Sequence, residues 1–325
     1  MATYALQRLI QSVFVLLAAS LVVFLAVYGI GDPIELLVSP QASALERAEL
    51  VRRLGLDLPL WRQYLVFVWN ALHGDLGSSF VHGVPAIGLI ISRLPATFEL
   101  VVLAMTLALV FGIPLGLMAG LDTESRLSRS IMGGTVLGYS LPNFWKGMML
   151  ILVFGVLLGW LPTSGRGATV EILGIKTSLL TLDGLKHLAL PAFNLAIPNM
   201  ALMIRLVAAG TAEANAQDYV KYARAKGVRP QRIVGRHILR NILIPVVTVV
   251  GIEFGSLIAF STITETVFAW PGMGKLLIDS IYRLDRPLVV SYIMLATLLF
   301  VGVNLLVDLL YAALDPRVRL AGETA

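Results

Sequence analysis

Residues 210–242 read GTAEANAQDYVKYARAKGVRPQRIVGRHILRNI, between two long apolar runs at about 189–209 and 242–267. The segment carries Lys221, Arg224, Lys226, Arg229, Arg232, Arg236 and Arg240, opposed only by Glu213 and Asp218, which leaves +5, the formal net charge of the whole chain. A basic loop joining two membrane spans stays on the cytoplasmic side. Its grammar is helical. Ala208 to Lys226 is rich in alanine and other good helix formers, Gly227 can stop a helix, and Val228-Arg229-Pro230 interrupts the chain. Gln231 to Asn241 then starts a second helix that runs into the next apolar run near Pro245. The expectation is a short helix, a turn and another helix along the cytoplasmic face. Composition alone also allows a positive patch that touches anionic lipid.

The rest of the chain fits that setting. Of 325 residues, 57% are hydrophobic and 14% charged, and the mean hydropathy is +0.83. Soluble domains carry about 45–50% apolar and about 25% charged residues, so a soluble fold of this length would lack polar surface. Six apolar runs can be marked, at about 9–30, 97–120, 131–158, 189–209, 242–267 and 288–312. Each is long enough to cross about 30 Å of hydrocarbon. The first, Leu9 to Ile30, has no small-residue cleavage site after it and reads as a retained span. The fold class is therefore an all-α integral membrane protein with six transmembrane helices and both termini cytoplasmic. The chain divides into 1–96 (first span and long outer loop), 97–312 (transmembrane core with the basic loop 210–242) and a tail, 313–325.

Within the outer loop, 31–96, Ala44 to Leu54 has helical character. Leu60 to Leu72 (LWRQYLVFVWNAL) is too short to span and suits an interfacial or re-entrant helix. Trp61, Tyr64, Trp69, Trp160 and Trp270 fall near expected membrane edges. The second outer loop, 159–188, contains Gly165, Gly167 and Gly174 and reads as irregular. Gly112, Gly116 and Gly120 share one helix face and predict close helix packing. Pro114, Pro142, Pro191, Pro198 and Pro245 are expected to break or kink their helices.

No catalytic set is visible. Cysteine is absent, and His73, His82, His187 and His237 have no ligand spacing. There is neither an HExxH nor a GxSxG pattern. Gly272-Met273-Gly274-Lys275 resembles the end of a phosphate-binding loop, but Ala269 and Leu276 stand where a glycine and a Ser or Thr are required. Any ATP would be bound by another chain. Ionisable residues in or near the runs are Glu99, Lys146, Arg205, Glu253, Glu265 and Asp308. Such residues tend to line a pathway or to pair. Glu253, nearest the middle of its run, is the candidate pathway residue. Glu99, Arg205 and Asp308 stand near run ends and are expected to reach the interface. Lys146 stands where an apolar residue is expected, and the sequence offers no reason for it.

Tyr219-Val220-Lys221-Tyr222-Ala223-Arg224-Ala225-Lys226-Gly227 resembles the coupling motif of the membrane subunits of ATP-binding-cassette (ABC) importers, in the dipeptide/oligopeptide/nickel permease branch. Arg236-His237-Ile238-Leu239-Arg240-Asn241 and Ile244-Pro245 continue it. So do Gly55-Leu56-Asp57-Leu58-Pro59-Leu60-Trp61 with Gly74-Asp75-Leu76-Gly77, and Leu94-Pro95-Ala96-Thr97. Further on, Glu265-Thr266-Val267-Phe268-Ala269-Trp270-Pro271-Gly272 and Asn304-Leu305-Leu306-Val307-Asp308 with Leu314-Asp315-Pro316-Arg317 complete the likeness. The generic motif begins Glu-Ala-Ala. Here Ala223-Arg224-Ala225 stands in its place, a substitution usual in this branch.

The resemblance implies a type I ABC importer permease fold, no enzymatic activity of this chain, and a multi-pass subunit of a prokaryotic cytoplasmic (inner) membrane. Its implied partners are a second homologous permease in a heterodimer, two ATPase subunits that bind ATP and Mg, an extracytoplasmic substrate-binding protein and the lipid bilayer, with no nucleic acid. It places ATPase coupling on Asp218, Tyr219, Lys221, Ala223, Arg224, Ala225, Lys226 and Gly227. It implies alternating access for di- or oligopeptides. Glutathione, nickel chelates or oligosaccharides are alternative cargoes of the same branch. An ion-gradient-driven secondary transporter, using Glu253 and Asp308, is the competing class. No internal repeat supports it.

Overall fold

The structure, a computed structural model, describes the backbone of residues 2–28, 43–53 and 55–314. Part of the first loop, 29–42, and the tail from 315 onward lie outside the described residues, as does the side chain of Asp308. The chain forms two compact units, one of residues 1–97 and 271–302 and the other of 98–270 and 303–325.

In the first unit, α1 (Ala2–Tyr28) is a single helix of 27 residues. α2 (Ala44–Arg53) opens on a reciprocal cap: Glu46 N donates to the Ser43 hydroxyl, and Ser43 N donates to the Glu46 carboxylate at 2.9 Å. α3 (Leu60–Leu72) occupies the range expected for it. One face packs on α1, where the Tyr64 ring meets Phe24 edge-on at 5.3 Å and the Tyr64 and Ser20 hydroxyls are 2.8 Å apart. Trp61, Leu65, Trp69 and Leu72 stay exposed, Trp61 and Leu65 beside Leu21 and Leu25 of α1. The turn 74–77 follows at once, with Gly74 and Gly77 at φ of +83° and +87°, and Gly77 N donates to Asp75 at 2.8 Å. α4 (Ala86–Leu121) begins in this unit, as does the last helix, Arg286–Leu314. Before that last helix, the buried Asp285 carboxylate accepts from the Ser79 hydroxyl and, at 2.9 Å, from Phe80 N. One acid thus holds residues 79–80 against the start of the helix. A further helix, Met273–Tyr282, was not anticipated by the sequence reading.

The second unit carries the rest of α4, then α5 (Arg126–Ser140) and α6 (Asn143–Leu157), a hairpin of β1 (Val170–Ile172) and β2 (Ile175–Thr177), α7 (Leu182–Ala216), α8 (Asp218–Ala225) and α9 (Pro230–Val267). The run expected to cross continuously at 131–158 does not: α5 and α6 meet at 105° across Pro142. Pro142 precedes the first residue of α6, where its missing N–H costs nothing. The other prolines behave differently. Pro114, Pro191, Pro198 and Pro245 sit inside uninterrupted helices. The loop expected to be irregular contains the hairpin, with Val170 opposite Thr177 and Ile172 opposite Ile175. Its turn residues Leu173 and Gly174 have φ of +52° and +81°, the pattern of a two-residue hairpin turn. Leucine is a poor advertisement for such a turn, which hid it. Trp270 is fully buried rather than at a lipid edge. Among the described residues, four helices are long and apolar enough to cross a membrane, and the α5–α6 pair would be a fifth.

The glycine face of α4 behaves as expected. It lies directly on α7: a Cβ added at Gly112 would come within 2.7 Å of Met203 Cβ, at Gly116 within 2.6 Å of Val207 Cβ, and at Gly120 within 2.4 Å of the Ala208 carbonyl oxygen. Met203 and Val207 pack with Ile242 and Val246 of α9 in one buried cluster. Replacing Gly116 with valine should separate α4 from α7. Overpacking costs about 1–3 kcal/mol. The expected result is a lower thermal midpoint and loss of monodisperse protein by size-exclusion chromatography in detergent, whereas valine at the open position Gly133 should change neither.

Candidate functional site: the basic helical loop and the polar cleft

α7 ends at Ala216, and Gln217, in an extended conformation, lets the chain turn into α8. The short helix therefore begins at Asp218, and the helix-forming stretch Ala208 to Lys226 is divided at Gln217. Residues 213–216 are the last turn of α7. Val220 and Ala223, three apart, are buried in a cluster with Ala214, Ile233 and Ile238. α8 is thus seated on the end of α7 and the start of α9. Asp218, Tyr219, Lys221, Arg224, Ala225, Lys226 and Gly227 face outward, and Tyr222 is 62% exposed. Of the eight expected site residues only Ala223 turns inward, as an anchor.

The helix end is fixed by glycine. Gly227 has φ +71°, its N–H donates to Arg224 O at 2.9 Å, and Val228 N reaches back to Ala223 O at 3.1 Å. Val228 also packs against the buried cluster. This pair of bonds with an apolar contact is a left-handed helix closure, and it satisfies carbonyls that would otherwise be orphaned. Polar contacts brace the outer surface. Arg224 donates to Asn215 on α7, Asn241 on α9 donates to the Tyr219 hydroxyl at 2.8 Å, and Lys221 pairs with Asp218 at 3.0 Å. The Lys226 ammonium lies 4.5 Å from the Tyr222 ring centroid. α9 itself starts with Pro230 at its first position and contains a π-helical stretch, Ile233–Ile238, before it continues as an α-helix.

The second feature is a cleft of about 310 Å³. Tyr139 and Asn143 contribute from either side of the Pro142 break, Asn199 from α7, and Glu253 and Ser256 from α9. Asn199 is 7% exposed, and its Oδ1 atom has no hydrogen-bond partner. Arg205 on α7 has its guanidinium 5.1 Å from the Tyr139 ring centroid.

Residues 112–320 match the family described as "Binding-protein-dependent transport system inner membrane component", and residues 1–101 match its N-terminal companion. The chain belongs to the binding-protein-dependent permeases of ABC importers. It is 38% identical to the dipeptide transport system permease protein DppB of Escherichia coli K12, covering 98% of this chain and 99% of that one. It is 37% identical to the oligopeptide permease AppB of Bacillus subtilis (98% and 100% covered) and 40% identical to the glutathione permease GsiC of E. coli K12 (98% and 99% covered). A solved structure of the MetNI methionine ABC transporter in an inward-facing conformation matches with a TM-score of 0.54 at 16% identity, covering 70% of this chain and 97% of that one. At that identity the likeness concerns the fold alone. The family also sets aside the ion-gradient class for this permease.

Two polar sites of the permease were misread or unexplained in the sequence. Lys146 donates to Gly138 O at 2.9 Å. It thereby satisfies a carbonyl in the last turn of α5, where cations are favourable, across the break that Pro142 makes. Glu99 does not reach an interface. It is buried, pairs with Arg166 at 3.0 Å, and accepts from Ser178 N at 2.9 Å and from the Ser178 hydroxyl at 2.6 Å. Arg166 also donates to Lys176 O at 2.6 Å and stands 6.0 Å from the Trp270 ring centroid, so it fastens the hairpin loop to α4 and to the end of α9. No spacing rule links positions 99 and 166. Only the unusual glutamate in an apolar run signalled the pair. Replacing Arg166 with alanine leaves a buried carboxylate unpaired, a loss of about 3–5 kcal/mol. The expected readout is a large drop in thermal midpoint in detergent, partly recovered in the double variant Glu99→Gln/Arg166→Ala.

Proposed function

We propose that this permease is one half of the translocation pathway of an ATP-driven importer of di- or oligopeptides, and that it works by alternating access. The observation that carries the reading is α8: a short helix, closed by Gly227 and seated on α7 and α9, that turns charged and aromatic side chains away from the chain. The dipeptide and oligopeptide relatives, aligned from end to end, support the cargo. Six spans are proposed: α1, α4, the broken pair α5–α6, α7, α9 and the final helix. The domain division 1–96, 97–312 and 313–325 follows, with both termini and the loop 210–242 in the cytoplasm and 31–96 outside. α7 has 35 residues, so it is about 52 Å long and exceeds the hydrocarbon thickness. Its surplus would carry α8 clear of the membrane.

In the proposed complex a second permease, two ATPase subunits and an external binding protein complete the machine. ATP and Mg are bound on the ATPases. Asp218, Tyr219, Lys221, Arg224, Ala225, Lys226 and Gly227 face an ATPase groove, and Ala223 anchors the helix from behind. When the ATPases close, α8 moves as a rigid body and takes with it the ends of α7 and α9. Glu253 lines the pathway between those two helices.

A tag inserted at residue 60 should be labelled from the outside of intact cells and not from the cytoplasm of inside-out vesicles. Cytoplasmic labelling would reverse the topology. For coupling, each exposed pair contributes only about 0.2–1 kcal/mol, so a single charge reversal should be mild. The triple variant Arg224→Glu/Lys226→Glu/Gly227→Val also disturbs the positive-φ turn. It should insert and pair with the partner permease normally, yet lose substrate-stimulated ATP hydrolysis and uptake together. Full coupled transport by this variant would make the loop a lipid-facing patch.

A further inference from the structure

We propose that the cleft between Asn199 and Glu253 is a station for the two charged ends of a short peptide, with the ammonium at Glu253 and the carboxylate at Arg205. This rests on the peptide-importer reading above and adds the chemistry of one subsite to it. Among the described residues, neither Glu253 nor Arg205 has an ion-pair partner, and they do not pair with each other. Unpaired charges inside a spanning bundle are costly and mark pathways. Here the two have opposite sign: Glu253 lines the cleft, and Arg205, which does not line it, lies against the ring of Tyr139, which does. The third group is the Asn199 Oδ1 atom, buried and without a donor. With Glu253 it makes two acceptors that an ammonium group, with three N–H donors, would satisfy at once.

The dimensions agree. Asn199 and Arg205 are six residues apart on α7, a rise of about 9 Å. An extended chain covers about 3.3–3.6 Å per residue, so two or three residues match the rise from Asn199 to Arg205. The cleft volume of about 310 Å³ lies at the small end of ligand pockets, about 300–1,000 Å³. A bare metal ion fits poorly: the cleft offers one carboxylate, and a guanidinium stands beside it. A station on a pathway should also be weak, since cargo must leave as readily as it enters. One carboxylate and one amide meet that need.

The test uses the complete importer in proteoliposomes, with its partner permease, ATPases and binding protein. Uptake of radiolabelled dialanine and of N-acetyl-dialanine is measured at saturating loaded binding protein, so that discrimination by the permease is what is read. Glu253→Gln and Arg205→Gln should each lower dialanine uptake roughly tenfold or more, while both variants still co-purify with their partners. Glu253→Gln should also lower the dialanine to N-acetyl-dialanine ratio, and Glu253→Asp, which keeps the charge, should recover uptake in part. Wild-type uptake rates in both neutral variants would overturn the station. So would equal losses in Glu253→Gln and Glu253→Asp, which would mean that shape and not charge is at stake. An assembled wild-type importer that takes up no dialanine would instead overturn the peptide reading on which the station rests.

Discussion

The close approach of α4 to α7 is the constraint on which the second unit is built. In lipid there is no hydrophobic drive to bring helices together, so contact must come from packing of backbone on backbone. Gly112, Gly116 and Gly120 provide it along more than two turns, against Met203, Val207 and the carbonyl of Ala208. The consequence reaches the basic loop. Asn215, in the last turn of α7, donates to the carbonyl of Leu121 at the end of α4 and accepts from Arg224 of α8. The glycine face therefore sets not only a helix crossing but also the place from which α8 projects.

Breaks in a spanning helix are tolerated only where the freed polar groups find partners. At Pro142 the carbonyl of Gly138 finds Lys146. Nearby, Asn194 donates to Thr264 at 3.2 Å and so ties α7 to α9. Asn194 and Asn199 on α7 each keep a buried amide oxygen without a partner, and Asn199 lines the cleft beside the break. Its neighbours at the same cleft, Glu253 and Tyr139, come from α9 and α5. An unpartnered oxygen on a cleft wall is a place where a passing ligand can supply the missing partner.

Local chemistry was legible in the sequence, and contacts between distant segments were not. Leu60–Leu72 was readable because its length and aromatic content admit one kind of helix. Gly227 was readable because a glycine after a helix-forming stretch has a specific job. The exact start of α8 was not, since Glu213 to Ala216 are as helical in composition as Asp218 to Ala225 and only the turn at Gln217 separates them. The hairpin at 170–177 lacked the usual turn pair. The Glu99–Arg166 and Ser79–Asp285 contacts join residues 67 and 206 positions apart. Periodicity carries no information at that range, so an acid in an apolar run could be flagged but not partnered.

The placement of the two candidate sites gives the proposed mechanism a mechanical basis. α8 is anchored through Ala214 on α7 and Ile238 on α9. Asn199 lies fifteen residues back from Ala214, and Glu253 fifteen residues beyond Ile238, so both cleft walls stand about 22 Å along their helices from a shared base. Two arms of equal length fixed to one foot convert a small angular change into a change of gap. A relative tilt of about 10° would move walls at that height by about 4 Å, within the range of helix movements known in switching proteins. That distance exceeds the reach of a hydrogen bond. A peptide held between Asn199 and Glu253 would then lose one wall as the foot moves, with no group at the cleft having to act on its own. The stiffness this requires is what Val220, Ala223 and the Gly227 closure supply, because a loop that yielded at its base would absorb the motion before it reached the cleft.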